Sequence, residues 1–271
     1  MKKIMIALLA LLLLSTTLFA AGSKEQAPGV DNSLQKVLDK GKLIMGLDDS
    51  FPPMGFRDEN NEIVGFDIDL AKGVAKGMGV ELVLQPIDWN SKEQELNTGN
   101  IDCIWNGFTI TDERLNAMTF TPPYVNNAQV VVVKGDSPFT SLASLAKKNV
   151  GLQAGSSASE ALDNSPAFKA SIKNVVEFKE NLTGLMDLEI GGIDALILDL
   201  LVANDNINRS GKDFRILDEH LTNEAYGVGF RKGEQKLADE VWSQMQAMAA
   251  DGSLATIATK WFGADITVVG K

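Results

Sequence analysis

Nine consecutive residues, Asn106-Gly107-Phe108-Thr109-Ile110-Thr111-Asp112-Glu113-Arg114, present a hydroxyl and a guanidinium together where a strand gives way to a helix. The run Ile101 to Trp105 before them is apolar enough for a buried strand. Thr111 followed by Asp112 and Glu113 has the pattern of an N-cap with an acidic first turn. Arginine's planar fork matches a carboxylate bidentately, and ligands of open α/β sheets bind at the carboxyl ends of strands. The stretch fits a carboxylate clamp. Taken alone, an exposed ion pair between Arg114 and Asp112 or another surface acid fits it equally well, because such pairs are common and weak.

Other polar residues stand at strand ends. Gln153-Ala154-Gly155-Ser156-Ser157 joins a strand to a helix start, where backbone N–H groups hold anions at the positive helix end. It lacks the lysine of a P-loop, and Gly73-Val74-Ala75-Lys76-Gly77-Met78-Gly79 lacks the dinucleotide spacing. Nucleotide phosphate is disfavoured, a small carboxylate stays open, and locally an ordinary left-handed turn with a Ser cap is the better reading. Asp199 closes the apolar strand Asp194 to Leu198 and precedes an apolar helical run. It either caps that helix or, opposite Arg114, receives an ammonium. Phe51 and Trp89 follow acidic residues at strand ends and are core residues or the two walls of a cleft. Of Asp48, Asp49, Glu93 and Glu95, one facing inward would select a polar or cationic side chain.

The elements that position these residues alternate. Leu34, Val37 and Leu38 have helical spacing behind Asp31, Asn32 and Ser33, with Gly41 as a stop. Lys42 to Leu47 is a strand, Leu70, Val74 and Met78 share a helical face, Val80 to Ile87 is a strand, and Ser91 to Leu96 is a short helix. The clamp strand follows. Gln129 to Lys134 then leads into a second alternating set: strands at 150–153, 175–178, 194–198 and 225–231, helices from Ser157 and from Leu182, and a long helical region from Glu234 to Trp261. This predicts an α/β protein with helices covering its sheets, built as two lobes with a cleft.

With 271 residues, 45% of them hydrophobic, the chain is long enough for two domains of ordinary size. A net charge of −11 argues against nucleic acid and anionic lipid as partners. The single cysteine, Cys103, excludes an internal disulfide and a Cys-based zinc site, and the single histidine, His220, excludes a two-His site. No metal, cofactor or catalytic residue is expected.

Met1-Lys2-Lys3, the apolar run from Ile4 to Leu14 and the small residues Ala20 to Ser23 have the three parts of a secretory signal peptide over residues 1–23. Leu18-Phe19-Ala20-Ala21 resembles a lipobox with Ala21 in place of the lipidated cysteine, so an exported, soluble periplasmic protein is expected. Residues 24–33 have the composition of a flexible leader.

Phe51-Pro52-Pro53-Met54, Gly65 to Leu70, Leu96 to Asp102, Thr109 to Arg114, Gln153 to Ser157 and Asp194 to Asp199 together resemble, in order and over the whole mature chain, the polar amino-acid-binding proteins of bacterial ABC importers, the periplasmic solute-binding proteins of family 3. The resemblance implies a two-lobe, Venus flytrap fold with two hinge strands, lobe one being residues 30–131 with 228–271 and lobe two residues 132–227. It implies a monomer that closes around one free L-amino acid, polar or basic, and delivers it to an ABC permease. By the same resemblance Arg114, with the Thr109 hydroxyl and the Ser157 N–H, takes the α-carboxylate. Asp199 and the Gly107 carbonyl take the ammonium, Phe51 and Trp89 form the walls, and Asp48, Asn106 and Gln153 select the side chain. Trp105-Asn106-Gly107 departs from the small residues usual there, and Gly191-Gly192 from a Gly followed by a basic residue.

The same scaffold also resembles the periplasmic cyclohexadienyl dehydratases. Elimination from prephenate or arogenate would need a buried acid in the cleft, for which Glu93 and Glu95 are the nominal candidates. A sensory module is a third class and would carry a membrane span and a signalling domain.

Overall fold

The computed structural model describes residues 30–271, and the expected signal peptide at 1–23 lies outside them. In chain order, α1 (Ser33–Lys40) leads into β1 (Lys42–Leu47) and a small antiparallel ribbon of β2 (Ser50–Phe51), β3 (Gly55–Arg57) and β4 (Ile63–Val64). Then come α2 (Phe66–Met78), β5 (Glu81–Pro86), α3 (Lys92–Thr98), β6 (Cys103–Ile104), α4 (Asp112–Ala117) and β7 (Met118–Phe120). The second set is β8 (Val125–Lys134), β9 (Asn149–Gln153), α5 (Ser157–Asp163), α6 (Pro166–Ser171), β10 (Asn174–Phe178), α7 (Asn181–Ile190), β11 (Ala195–Asp199), α8 (Leu200–Ser210), β12 (Phe214–Ile216) and β13 (Thr222–Tyr226). The chain ends with β14 (Gly229–Arg231), α9 (Gln235–Asp251) and α10 (Ser253–Phe262).

Two mixed sheets result. The first has the order β5-β1-β6-β14-β7, with β5, β1 and β6 parallel and β14 antiparallel to its neighbours. The second has the order β10-β9-β11-β8-β12, with β13 also paired to β8; β10, β9 and β11 are parallel, and β8 is antiparallel to β11, β12 and β13. The valine run of β8 is buried on both faces: Val130 and Val132 face one apolar cluster, Val131 and Val133 another. That is the pattern of a strand covered by helices on either side. Leu237, Val241, Met245 and Met248 of α9 point inward, as their helical spacing predicts.

The structure divides two segments that the pattern left whole. The expected strand 225–231 is two strands in two sheets, β13 and β14, with the chain crossing at Gly227-Val228. A Cβ at Gly227 would sit 2.8 Å from the Ile110 Cδ1, so a larger residue there would displace the end of that side chain. The helical region 234–261 breaks at Gly252, whose φ of 84° a helix interior does not allow. β8 is hydrogen-bonded into the second sheet from Val125 onward, so the other crossing is the segment from Thr121 to Tyr124. There the Tyr124 N–H donates to the Tyr226 carbonyl at 2.9 Å, which ties the two crossings together.

Candidate functional site

The parallel strands of both sheets end at one cleft. Asp48 follows β1, Asn106, Gly107 and Thr109 follow β6, Gln153 ends β9, and Asp199 ends β11. All ten residues singled out in the sequence line one narrow cavity of about 10 Å³: Asp48, Phe51, Trp89, Asn106, Gly107, Thr109, Arg114, Gln153, Ser157 and Asp199. Ser156 joins them, a neighbour that no pattern distinguished from the turn around it.

Arg114 is only 7% exposed. The Thr111 hydroxyl accepts its backbone N–H at 3.3 Å, so the predicted N-cap sets the first turn of α4 and aims the side chain inward. Its Nη1 donates to the Thr109 carbonyl at 2.8 Å, and its Cζ lies 4.4 Å from the Phe108 ring centroid. Among the described residues it makes no ion pair, with Asp112 or any other acid, so the surface-pair reading does not hold. Burial pulls its pKa down against the carboxylates of Glu224, Glu160, Glu93 and Asp199. It remains a cation with most of its donor fork unused.

Asp199 faces the same cavity and is 4% exposed. It stands at the N-cap position of α8, yet its side chain makes no capping bond. Instead its Oδ1 accepts the Tyr226 hydroxyl at 2.7 Å and the Asn127 Nδ2 at 2.7 Å. Ser157 opens α5, where first-turn N–H groups lack helical acceptors. Its hydroxyl lies 3.0 Å from the Thr109 Oγ1.

Gly107, at φ 56°, donates its N–H to the Asp67 Oδ2 at 2.6 Å. A Cβ there would lie 3.0 Å from the Phe51 Cε1, so glycine at this left-handed φ lets the ring pack against the backbone without displacement. Trp89 packs edge-on to Phe108 at 5.7 Å between centroids. Asp48 receives the Gln153 Nε2 at 2.8 Å and the Ser50 N–H at 2.9 Å, and burial pushes its carboxyl above the usual range. The Asn106 Oδ1 is buried without a protein donor. Asp49 pairs instead with Arg57 on the surface, and Glu93 and Glu95 are not in the cavity wall; Glu95 accepts from Asn100.

The sequence reading missed a supporting layer. Lys92, 5% exposed, donates to the Gly155 carbonyl at 2.8 Å and the Trp89 carbonyl at 3.3 Å, bridging elements of the two sheets. Burial first, then the Arg114 charge, bring its amine down to about 8. Asn127 and Gln129 turn amides toward Asp199 and Ser157 from β8, whose other buried residues are apolar. Polar residues two apart in a buried strand are the pattern that would have revealed them.

Residues 43–264 match the profile of the bacterial extracellular solute-binding proteins, family 3. The chain is 31% identical over 249 residues to the L-cystine-binding protein TcyJ of Escherichia coli (strain K12), covering 91% of this chain and 92% of that protein. Its fold superposes on that of Tv2483 bound to L-arginine with a TM-score of 0.85 and 32% identity, covering 89% of this chain and 98% of the other. An ABC uptake transporter substrate-binding protein from Streptococcus pneumoniae with bound histidine gives a TM-score of 0.85 and 35% identity, covering 88% and 99%.

Proposed function

This chain belongs to the bacterial extracellular solute-binding proteins, family 3, and from that premise we propose that it captures a free L-amino acid in the cleft and hands it to an ABC import permease. One observation carries the reading: a buried guanidinium without a carboxylate partner shares a cavity with a buried aspartate that caps nothing. An α-amino acid supplies the carboxylate to the first and the ammonium to the second. Arg114 takes the α-carboxylate with the Thr109 hydroxyl and the Ser157 N–H, and Asp199 takes the ammonium with the Gly107 carbonyl. Phe51 and Trp89 flank the ligand's stem, while Asp48, Asn106 and Gln153 meet its side chain and favour a polar or basic one.

The division into lobes is part of the proposal: the expected boundary at 131 moves back, so that residues 30–124 with 228–271 form one lobe and residues 125–227, hydrogen-bonded through β8 into the second sheet, form the other. Each half-site draws on both lobes, Arg114 and Thr109 with Ser157 in one and Asp199 with Gly107 in the other, so the amino acid lowers the energy of the closed state alone. The protein works as a monomer, exported to the periplasm, and as a carrier without catalysis.

The experiment is a thermal-shift screen of the mature protein against the twenty amino acids, ornithine, citrulline, cystine and prephenate. A ligand at about a thousand times its Kd stabilises by ~4 kcal/mol, on the order of 10 °C for a chain of this size. A large shift with one or two amino acids supports the proposal, and no shift with any overturns it. The dehydratase alternative keeps one structural point in its favour, the buried Asp199 carboxyl, which burial and Glu224 hold well above the usual range. Phenylpyruvate formation from prephenate would establish it; none is expected.

A further inference from the structure

The chain holds two tyrosines, and each stands at one of the two crossings between the sheets. Tyr124 ends the segment 121–124, and Tyr226 ends β13 just before Gly227-Val228. Both are fully buried, and neither is in the cavity wall. The Tyr124 N–H bond to the Tyr226 carbonyl joins their backbones, and their rings lie 6.4 Å apart, tilted by 43°. Ring packing alone would be served by phenylalanine, yet both hydroxyls are committed to carboxylates.

Each hydroxyl leads to one acceptor of the ammonium half-site. The Tyr226 hydroxyl donates to the Asp199 Oδ1 at 2.7 Å. The Tyr124 hydroxyl donates to Asp67, at 2.9 and 3.0 Å from its two oxygens, and Asp67 in turn holds the Gly107 N–H at 2.6 Å. Tyr226 also meets Gly107 directly: a Cβ there would lie 3.2 Å from the Tyr226 Cε2 and Cζ, so the phenol ring lies against that backbone. The Tyr226 backbone bridges Thr109, flanked by the Ile110 N–H on the Ala225 carbonyl and the Gly227 N–H on the Phe108 carbonyl, both at 2.9 Å. One side chain thus spans from Gly107 in the first lobe to Asp199 in the second. A phenol has two torsions and a fixed length from ring to hydroxyl, whereas lobe rotation is absorbed by backbone torsions at the crossings. The ring contact with Gly107 and the bond to Asp199 therefore hold together at one lobe angle only.

We propose that Tyr226 is the positioning residue of the ammonium half-site, setting Asp199 against Gly107 across the hinge, with Tyr124 as its counterpart on the other crossing. This rests on amino-acid binding in the cleft. An α-ammonium between the Asp199 carboxylate and the Gly107 carbonyl fastens the two groups that the phenol already spans, so occupancy fixes the hinge angle without the ligand touching either tyrosine. Every amino acid brings the same ammonium, so the effect is independent of the ligand's side chain. Without the hydroxyl, the Asp199 Oδ1 is free to turn toward its remaining side-chain donor, the Asn127 amide.

The test uses the mature chain labelled with 3-fluorotyrosine, whose two tyrosines give two fluorine resonances. Tyr226→Phe keeps the ring, removes the hydroxyl and assigns the remaining resonance to Tyr124. L-Arginine, L-glutamine and L-cystine are the probes. Both wild-type resonances should move on saturation with a probe that binds. In calorimetric titration Tyr226→Phe should weaken every binding probe by the same factor, about tenfold, the loss of one hydrogen bond to a charged group. In that variant the Tyr124 resonance should move less at saturation. A hydroxyl that only supports the fold would lower the melting temperature and leave the dissociation constants as they were. Binding that leaves either wild-type resonance in place overturns the proposal, as do dissociation constants in Tyr226→Phe within about twofold of wild type. Should that variant not fold, the wild-type resonances decide alone. If no probe binds, the amino-acid reading falls and this inference with it.

Discussion

The Asp67 carboxylate reaches forty residues along the chain to accept the Gly107 N–H at 2.6 Å, and it holds the Tyr124 hydroxyl at 2.9 Å through its other oxygen. Asp67 has no solvent exposure. It moors Gly107, against whose backbone the Phe51 ring packs. Asp67→Ala strands a buried N–H and a buried hydroxyl, a loss of about 2–5 kcal/mol, read from the urea midpoint.

The same carboxyl gives stability a pH dependence. Burial raises it to about 7, opposed by the bonds from Gly107 and Tyr124. Its unfolded value is about 3.9. The folded chain therefore keeps a proton that the unfolded chain has lost. The contribution is fully present below about pH 4 and is lost as pH rises through about 7, a change on the order of 4 kcal/mol. Tm should fall from mildly acidic to mildly alkaline buffer, and Asp67→Asn should flatten that slope.

Arg114→Ala should leave a folded protein, because the guanidinium gives the unliganded chain one carbonyl bond and a ring contact in return for its burial. Binding should weaken by at least a hundredfold, ~3 kcal/mol or more, with the loss of a charge-assisted pair. Arg114→Lys should recover little, since an ammonium lacks the planar fork. Calorimetric titration checks both.

Asp48 and Gln153 meet across the cleft at 2.8 Å. Asp48→Asn keeps an acceptor for the Gln153 amide and removes a charge. L-arginine and L-ornithine should lose about tenfold, ~1.4 kcal/mol, relative to L-glutamine. An unchanged ranking in competition titrations would remove Asp48 as the selector.

Lys92→Met deletes the bond to the Gly155 carbonyl, which joins elements of the two sheets. The unliganded protein should unfold at nearly the same temperature, since a buried cation without a carboxylate partner is lost together with its bonds. Affinity should drop about three- to tenfold, ~1 kcal/mol, because the bond needs the lobes together. With the folded amine at about 8 and the unfolded one near 10.4, the wild type should gain stability as pH rises between those values, and the variant should not.

The sequence determined the alternation of strands and helices, because burial on both faces of β8 demands an unbroken valine run and a helix face demands its own period. It also determined the Thr111 cap at the strand end, because a cap is set within a few residues. The tertiary structure alone decided which acids matter. Asp48 and Asp49 are neighbours of one kind, yet the first faces Gln153 in the cavity and the second pairs with Arg57 outside. Asp199 stood equally well as a helix cap or as an ammonium acceptor until Asn127 and Tyr226, 72 and 27 residues away, were seen to hold it inward. The burial of Lys92 and of Asp67 was not legible for the same reason: a charged residue leaves water only where it gains partners. Those partners come from distant strands that only the closed fold brings together.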